Sequence, residues 1–238
     1  MTKLGNYIKK RLSRKAKPEA VVKQNRMSRE YINSLPIIKF DGNISVIKDV
    51  DSAEYAIDYL KSEKIIGFDT ESRPSFKKGI SYPISLIQFS TEDRAFLFQI
   101  DKTGFFKSLK ELLEDEKTIK VGIGIDADRK KLKELDEGLR TRGWVDLKKI
   151  AEKKGIVQSG ARALTARYLE HRITKGAQRS NWAASSLSPK QIKYAATDAW
   201  ICFKIYPLIQ KDNYQYIDEL KVEQEKEREK EKANQKNK

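Results

Sequence analysis

Two carboxylates close a strongly apolar run. IIGFDTE places Asp69 and Glu71 two residues apart at the end of Ile65 to Thr70, a stretch otherwise suited to burial. A strand repeats every two residues, so both side chains leave the same face. At an effective dielectric near ~20, two carboxylates about 4 Å apart repel by about 4 kcal/mol, more than one surface hydrogen bond offsets. A cation or a proton must resolve such a pair. A second acidic group stands in GIGIDADRKKL, where Gly122 and Gly124 let backbone approach closely and Asp126 and Asp128 sit at a helix start. Capping and the helix dipole can account for these two without any function. The third candidate is KYAATDAW: Tyr194 and Asp198 are four apart and share a helical face. Asp198 stands among Ala195, Ala196, Ala199 and Ile201, not on an obviously solvated side. Each signal alone is common, and a Y-x-x-x-D pair arises by chance in many helices. Their conjunction, oxygen ligands with no His or Cys partner, suits Mg²⁺ or Mn²⁺.

The elements that must position these groups follow from periodicity and turn chemistry. Asp51 with Glu54 resembles a capping box opening a helix to about Ser62, with Tyr55, Ala56, Tyr59 and Leu60 at helical spacing. IIGFDT, ISLIQFS and AFLFQI (Ala95 to Ile100) are short, apolar and β-rich, and three strands in succession predict antiparallel pairing. FFKSLKELLED then reads as a helix, TIKVGIG as a strand, and DADRKKLKELDEG as a helix ended by Gly138. Trp144 to Asp146 is a short extended piece before more helix. ARALTARYLE is helical, and Ser188 as N-cap with Pro189 at the first position opens a long final helix. Strands with interspersed helices, then helices, make a mixed α/β or α+β domain.

The chain has 238 residues, with 49 Lys and Arg against 34 Asp and Glu, a formal charge of +15. Such a balance favours a polyanionic partner, nucleic acid or an anionic membrane surface. Residues 1–30 hold ten basic and two acidic side chains, whereas residues 211–238 hold eight of each, so about half of the excess lies in an N-terminal arm. A single cysteine, Cys202, excludes an internal disulfide framework and a cysteine-built zinc site. No apolar run reaches the roughly 18 residues of a membrane span. With neither a G-x-x-x-x-G-K-[ST] loop nor a G-x-G-x-x-G motif, an ATP-driven machine is not expected. A soluble, cytoplasmic protein with no membrane or ATP partner is the expectation, although the acid-free segment Met1 to Lys17 could serve as an organelle presequence.

At this level of detail the chain resembles a known family. FDTE (Phe68 to Glu71), the following LIQFS, VGIGIDADRKKL and above all QRSNWAASSLSPKQIKYAATDAW (Gln178 to Trp200) resemble the DEDD superfamily of 3′-5′ exonucleases in its tyrosine subclass. They are similar to the Werner-syndrome exonuclease domain and to ribonuclease D. The likeness covers about residues 50–208. It implies a ribonuclease-H-like (DnaQ-like) mixed β-sheet flanked by helices. It also implies a phosphodiester hydrolase releasing nucleoside 5′-monophosphates from an accessible 3′ end. The resemblance places the catalytic and metal-binding acids at Asp69, Glu71, Asp128 (rather than Asp126) and Asp198, and the motif tyrosine at Tyr194. They would serve two divalent ions, Mg²⁺ or Mn²⁺: Asp69 bridging, Glu71 and Asp198 completing one site, Asp128 holding the other. Tyr194, with an ordinary pKa near ~10, would orient the attacking water rather than deprotonate it. The only histidine, His171, falls outside the motif and reads as a loop or surface residue.

Substrate-contacting residues are expected in two places. Phe76 and Tyr82, with Lys77, Lys78 and Gly79, could stack a base beside phosphate-binding cations, or the rings could be core. Arg162, Arg167, Arg172, Lys175 and Arg179 could form a strand-binding track or a solvated face. DNA is the favoured substrate, with RNA 3′-end trimming and an inactive nucleic-acid-binding module as alternatives. The expected organisation is a basic arm over 1–35, an exonuclease domain over 36–212 and a charged tail over 213–238, which from about Val222 is too polar to pack.

Overall fold

A computed structural model describes residues 22–77, 79–217, 223–224 and 227–228. The expectations for the arm before residue 22, for Lys78 and for most of the charged tail lie outside these residues. In chain order the elements are β1 (Val22–Gln24), α1 (Arg29–Ser34), β2 (Asn43–Ile47), α2 (Val50–Ser62), β3 (Ile65–Ser72), β4 (Ile84–Ser90) and β5 (Arg94–Gln99). There follow α3 (Ile100–Thr103), α4 (Lys107–Glu114), β6 (Ile119–Gly122), α5 (Asp126–Leu135), β7 (Trp144–Asp146), α6 (Leu147–Lys153), α7 (Ala161–Leu169), α8 (Pro189–Lys211) and β8 (Gln215–Ile217).

The strands β3, β4 and β5 pair antiparallel in succession, as their sequence predicts. Parallel additions complete a six-stranded mixed sheet in the order β2-β5-β4-β3-β6-β7. Alternation along the strands divides the core into two layers. Phe68, Ile87, Phe89, Phe96 and Phe98 point to one face, covered by Leu60 of α2, Leu112 of α4 and Leu132 of α5. Leu86, Ala95, Leu97 and Val121 point to the other, under Leu147 of α6, Leu164 of α7 and a row of α8 residues from Ala195 to Ile209. Helices on both faces of a mixed sheet form the α/β, ribonuclease-H-like architecture.

Two helix boundaries differ from the sequence expectation. The N-cap of α2 is Asp49, whose Oδ1 accepts from the Ser52 amide at 2.8 Å, so Asp51 lies within the first turn. Helix α5 ends at Leu135 because Asp136 turns extended; the Gly138 amide then donates to Asp136 Oδ1 at 2.8 Å, a side-chain turn that displaces glycine from the cap. The start of α8 is as read: Ser188 and Gln191 form a reciprocal capping box with Pro189 at the first position.

Residues 22–35 also pack on the domain. β1 runs parallel to β8, outside the main sheet. Buried Asn25 donates to the Gly155 carbonyl at 2.5 Å and accepts from the Val157 amide at 2.9 Å. Arg172 donates Nε to the Leu35 carbonyl at 3.0 Å beside the bridge between Ile37 and Arg172.

Candidate active site

The site is assembled where α8 crosses β3. Gly67, Asp69 and Glu71 alternate onto the α8 face of the strand. A Cβ at Gly67 would overlap the Ala199 carbonyl oxygen. The missing side chain lets helix backbone settle on strand backbone, and Asp198, next to Ala199, therefore arrives beside Asp69. Carboxylate oxygens of Asp69, Glu71 and Asp198 all lie within 4.8 Å of one another.

Asp128 approaches from the opposite side. Thr70, between the two β3 acids, faces away from them and donates its hydroxyl to Asp128 Oδ1. The turn that delivers Asp128 is tied down by Asp146 at the end of β7, which accepts from the amides of Gly124 at 2.8 Å and Ile125 at 3.2 Å. Gly124 has φ of 72°, a left-handed conformation that glycine adopts without strain. Thus Asp128 lies beside the carboxylate group rather than within it. Asp126 points elsewhere, paired with Lys149 at 2.6 Å.

Burial and crowding shape the electrostatics. Burial, then the charges of Asp198, Asp128 and Glu71, hold the Asp69 carboxyl well above its ordinary range. Glu71 is pushed up to about 8 by burial and by Asp198 and Asp128, with Lys131 opposing. Burial raises Asp198 to about 7 against the Tyr194 hydrogen bond, and raises Asp128 against the Thr70 hydrogen bond. The Tyr194 phenol is driven far above its ordinary value by burial and by the neighbouring Asp198, so it stays protonated and donates to Asp198. Its ring packs against buried Trp182 at 6.0 Å between centroids. A hard, all-oxygen donor set that cannot stay charged by itself fits a divalent cation such as Mg²⁺ or Mn²⁺.

A cleft of about 480 Å³ opens over the acids, lined by Asp69, Glu71, Tyr194 and Asp198 together with Arg162 and Lys175. Those two are the members of the expected basic track that line it. Arg167 instead donates to the Asn25 carbonyl at 2.7 Å and Arg172 to that of Leu35, both holding the N-terminal segment. Arg179 is exposed and does not line the cleft. Phe76 is 82% exposed beside exposed Lys77, so it is not core. Tyr82 is half-buried with the Arg73 guanidinium 5.1 Å from its ring centroid. His171, half-buried, has Nδ1 2.5 Å from the Leu169 carbonyl. Four contributors escaped the sequence reading: Gly67, Thr70, Lys131 and Asp146. Of these Asp146 carried a signal, an Asp between a strand and a helix, where an N-cap is expected.

The chain is similar to known proteins. A family model described as 3′-5′ exonuclease matches residues 44–213. An Arabidopsis thaliana 3′-5′ exonuclease is 30% identical over 221 residues, 86% of this chain and 76% of that protein. The mouse bifunctional 3′-5′ exonuclease/ATP-dependent helicase WRN is 29% identical over 184 residues, 73% of this chain but 13% of that protein. Among solved structures, Trypanosoma brucei RNase D in complex with RNA U12 superimposes with a TM-score of 0.66 at 18% identity, covering 78% of this chain and 68% of that one. That likeness bears on the fold; the family match and the first relative bear on the chemistry, and by them the chain belongs to the 3′-5′ exonucleases, phosphodiester hydrolases of nucleic acid.

Proposed function

We propose that this protein shortens nucleic acid from an accessible 3′ end, one nucleoside 5′-monophosphate at a time, with two divalent ions, Mg²⁺ or Mn²⁺, at Asp69, Glu71, Asp128 and Asp198. The convergence of three carboxylates within 4.8 Å at the floor of a cleft, with a protonated tyrosine bonded to one of them, carries this reading. When bound, such ions acidify a water and neutralise charge on the leaving oxygen of an in-line displacement. Asp69 is central to the cluster and would face both ions; Glu71 and Asp198 would complete one site and Asp128 the other. Thr70 and Asp146 keep Asp128 in place. Tyr194, unable to act as a base while its phenol is held protonated, orients the attacking water or the scissile phosphate as a donor. Arg162 and Lys175, at the cleft wall, are suited to phosphates of the bound strand.

DNA is the first substrate proposed. The RNA held by the Trypanosoma brucei relative favours an RNA 3′ end as the second reading. Matched 3′-labelled DNA and RNA single strands, incubated with Mg²⁺, Mn²⁺ or EDTA, test both. Loss of label should need metal and vanish in Asp69→Ala and Asp198→Asn. Activity in EDTA, or full activity in both variants, refutes the metal-dependent reading; equal rates on DNA and RNA refute a substrate preference.

A further inference from the structure

We propose that a second cleft, at the far end of α7 from the acids, grips the single-stranded part of the substrate upstream of its 3′ end. The proposal rests on the exonuclease reading and deepens it, naming a strand of several nucleotides as the substrate. The cleft, of about 700 Å³, lies between α1, α7, the end of α8 and β8.

Its chemistry suits a strand. Tyr31, Leu208 and Tyr214 are 49%, 40% and 36% exposed, and all three line this one opening. Exposed aromatic faces stack on bases of any identity, and cations beside them meet the phosphates. Arg26 and exposed Lys211 line the same opening. The floor is braced: the Asp212 carboxylate accepts from the Tyr168 hydroxyl at 2.7 Å, the Tyr216 hydroxyl at 2.9 Å and the Tyr214 amide at 2.8 Å. With three donors on it, that carboxylate does not confront an incoming phosphate as a bare charge.

Its position suits the same strand. Arg162 lines the acidic cleft, and Arg167, five residues along α7, lines the second. Five helical residues rise about 7.5 Å and turn about 140°, so the two clefts open a short way apart along α7 but on different sides of it. Arg162 also donates to Asn33 of α1, the helix that presents Tyr31. A strand with its 3′ end at the carboxylates would pass around α7 beside α1 to reach Tyr31. A peptide could fill an aromatic cleft, but the cations and the continuity with a nucleic-acid site favour the strand.

The test uses the full chain and 5′-fluorescein single strands of about four and about twelve nucleotides, the span of single-strand sites. Anisotropy in EDTA reads affinity, and shortening with Mg²⁺ or Mn²⁺ reads KM and kcat. Tyr31→Ala should lower the ratio of twelve-mer to four-mer affinity about tenfold, the scale of one lost stack. The same ratio in 1/KM should follow, with kcat on the twelve-mer kept, and Tyr31→Phe should restore both. Lys211→Glu should flatten the salt dependence of twelve-mer binding by about one ion. An unchanged ratio in Tyr31→Ala, or equal loss on both lengths, overturns the proposal. Binding of a competing peptide with wild-type nucleic-acid affinity in Tyr31→Ala overturns it in favour of a protein occupant. If the wild type shortens neither strand, the exonuclease reading fails, while anisotropy still decides whether Tyr31 touches nucleic acid.

Discussion

Removing one charge from the acidic cluster should stabilise the metal-free protein. In the absence of a cation, burial and the charges of Asp198 and Asp128 raise Glu71 from its ordinary 4.5 to about 8. The folded state therefore keeps a proton that the unfolded chain has released, and linkage fixes the sign. The contribution of Glu71 to stability is full at or below pH 4.5 and is lost as the pH climbs towards 8. The full interval corresponds to about 5 kcal/mol. Because Glu71 is only half-buried, solvent screening brings the expected loss to about 2–3 kcal/mol. Asp198 titrates in the same cluster and shares this loss rather than doubling it. Scanning calorimetry in EDTA should show the wild-type Tm falling between pH 5 and 8. Glu71→Gln should flatten that fall and melt about 5–10 °C higher at pH 8. Carboxylates with lowered values, such as Asp49 and Asp136, act only in more acidic solution, so they do not mask the window. Saturating Mg²⁺ should invert the order, since a cation that binds the folded wild type stabilises it by mass action and the variant has lost a ligand. A wild-type Tm that is level or rises from pH 5 to 8 in EDTA, with Glu71→Gln no more stable at pH 8, would refute the crowding argument.

Gly67→Ala should cost roughly 2–4 kcal/mol in chemical denaturation, because its methyl group would overlap the Ala199 carbonyl; the residual folded protein should lose activity as α8 withdraws Asp198 from Asp69. Asp146→Ala leaves the Gly124 and Ile125 amides without their acceptor and should cost about 2–3 kcal/mol, with kcat falling as Asp128 is released. Lys120 is fully buried and donates to the Asp115 carbonyl; burial lowers it from 10.5 to about 8, with Asp115 and Glu116 opposing. The unfolded state then holds more protons on Lys120 between pH 8 and 10.5, so this one group contributes a rise of about 3 kcal/mol across that interval, opposed above pH 9 by the buried Cys202 thiol, which keeps its proton in the folded state. Urea titrations of Lys120→Met should show this rise abolished.

The sheet and most helices were legible because each rests on a local pattern. Short, apolar, β-rich runs mark β3, β4 and β5, and Ser188 with Pro189 and Gln191 marks the start of α8. The errors were local too. Asp49 and Asp51 both offer an N-cap side chain, and sequence does not reveal which one finds a free amide three residues on. Long-range partners were illegible. Nothing in a three-residue segment near Val22 announces a parallel pairing with residues 215–217. Likewise Arg167 and Arg172, in a basic run that reads as a phosphate track, are spent on carbonyls 142 and 137 residues away.

The acids themselves lie in two legible pairs, Asp69 with Glu71 and Tyr194 with Asp198, but the site exists only where the pairs meet. That meeting depends on Gly67, a residue with no functional group. A side chain there would hold α8 away from β3 and leave two ordinary surface-directed carboxylates on the strand and one on the helix. Contact between backbones instead forces three like charges into a space that none would choose alone, with Thr70 and Asp146 holding Asp128 beside them. The chemistry is therefore encoded twice: in acidic residues that a sequence displays, and in an absent side chain whose meaning appears only when a helix 132 residues away lies across it. This is why Gly67→Ala and Asp69→Ala should fail differently. The first should lose stability and activity together, and the second should lose activity while gaining stability in EDTA.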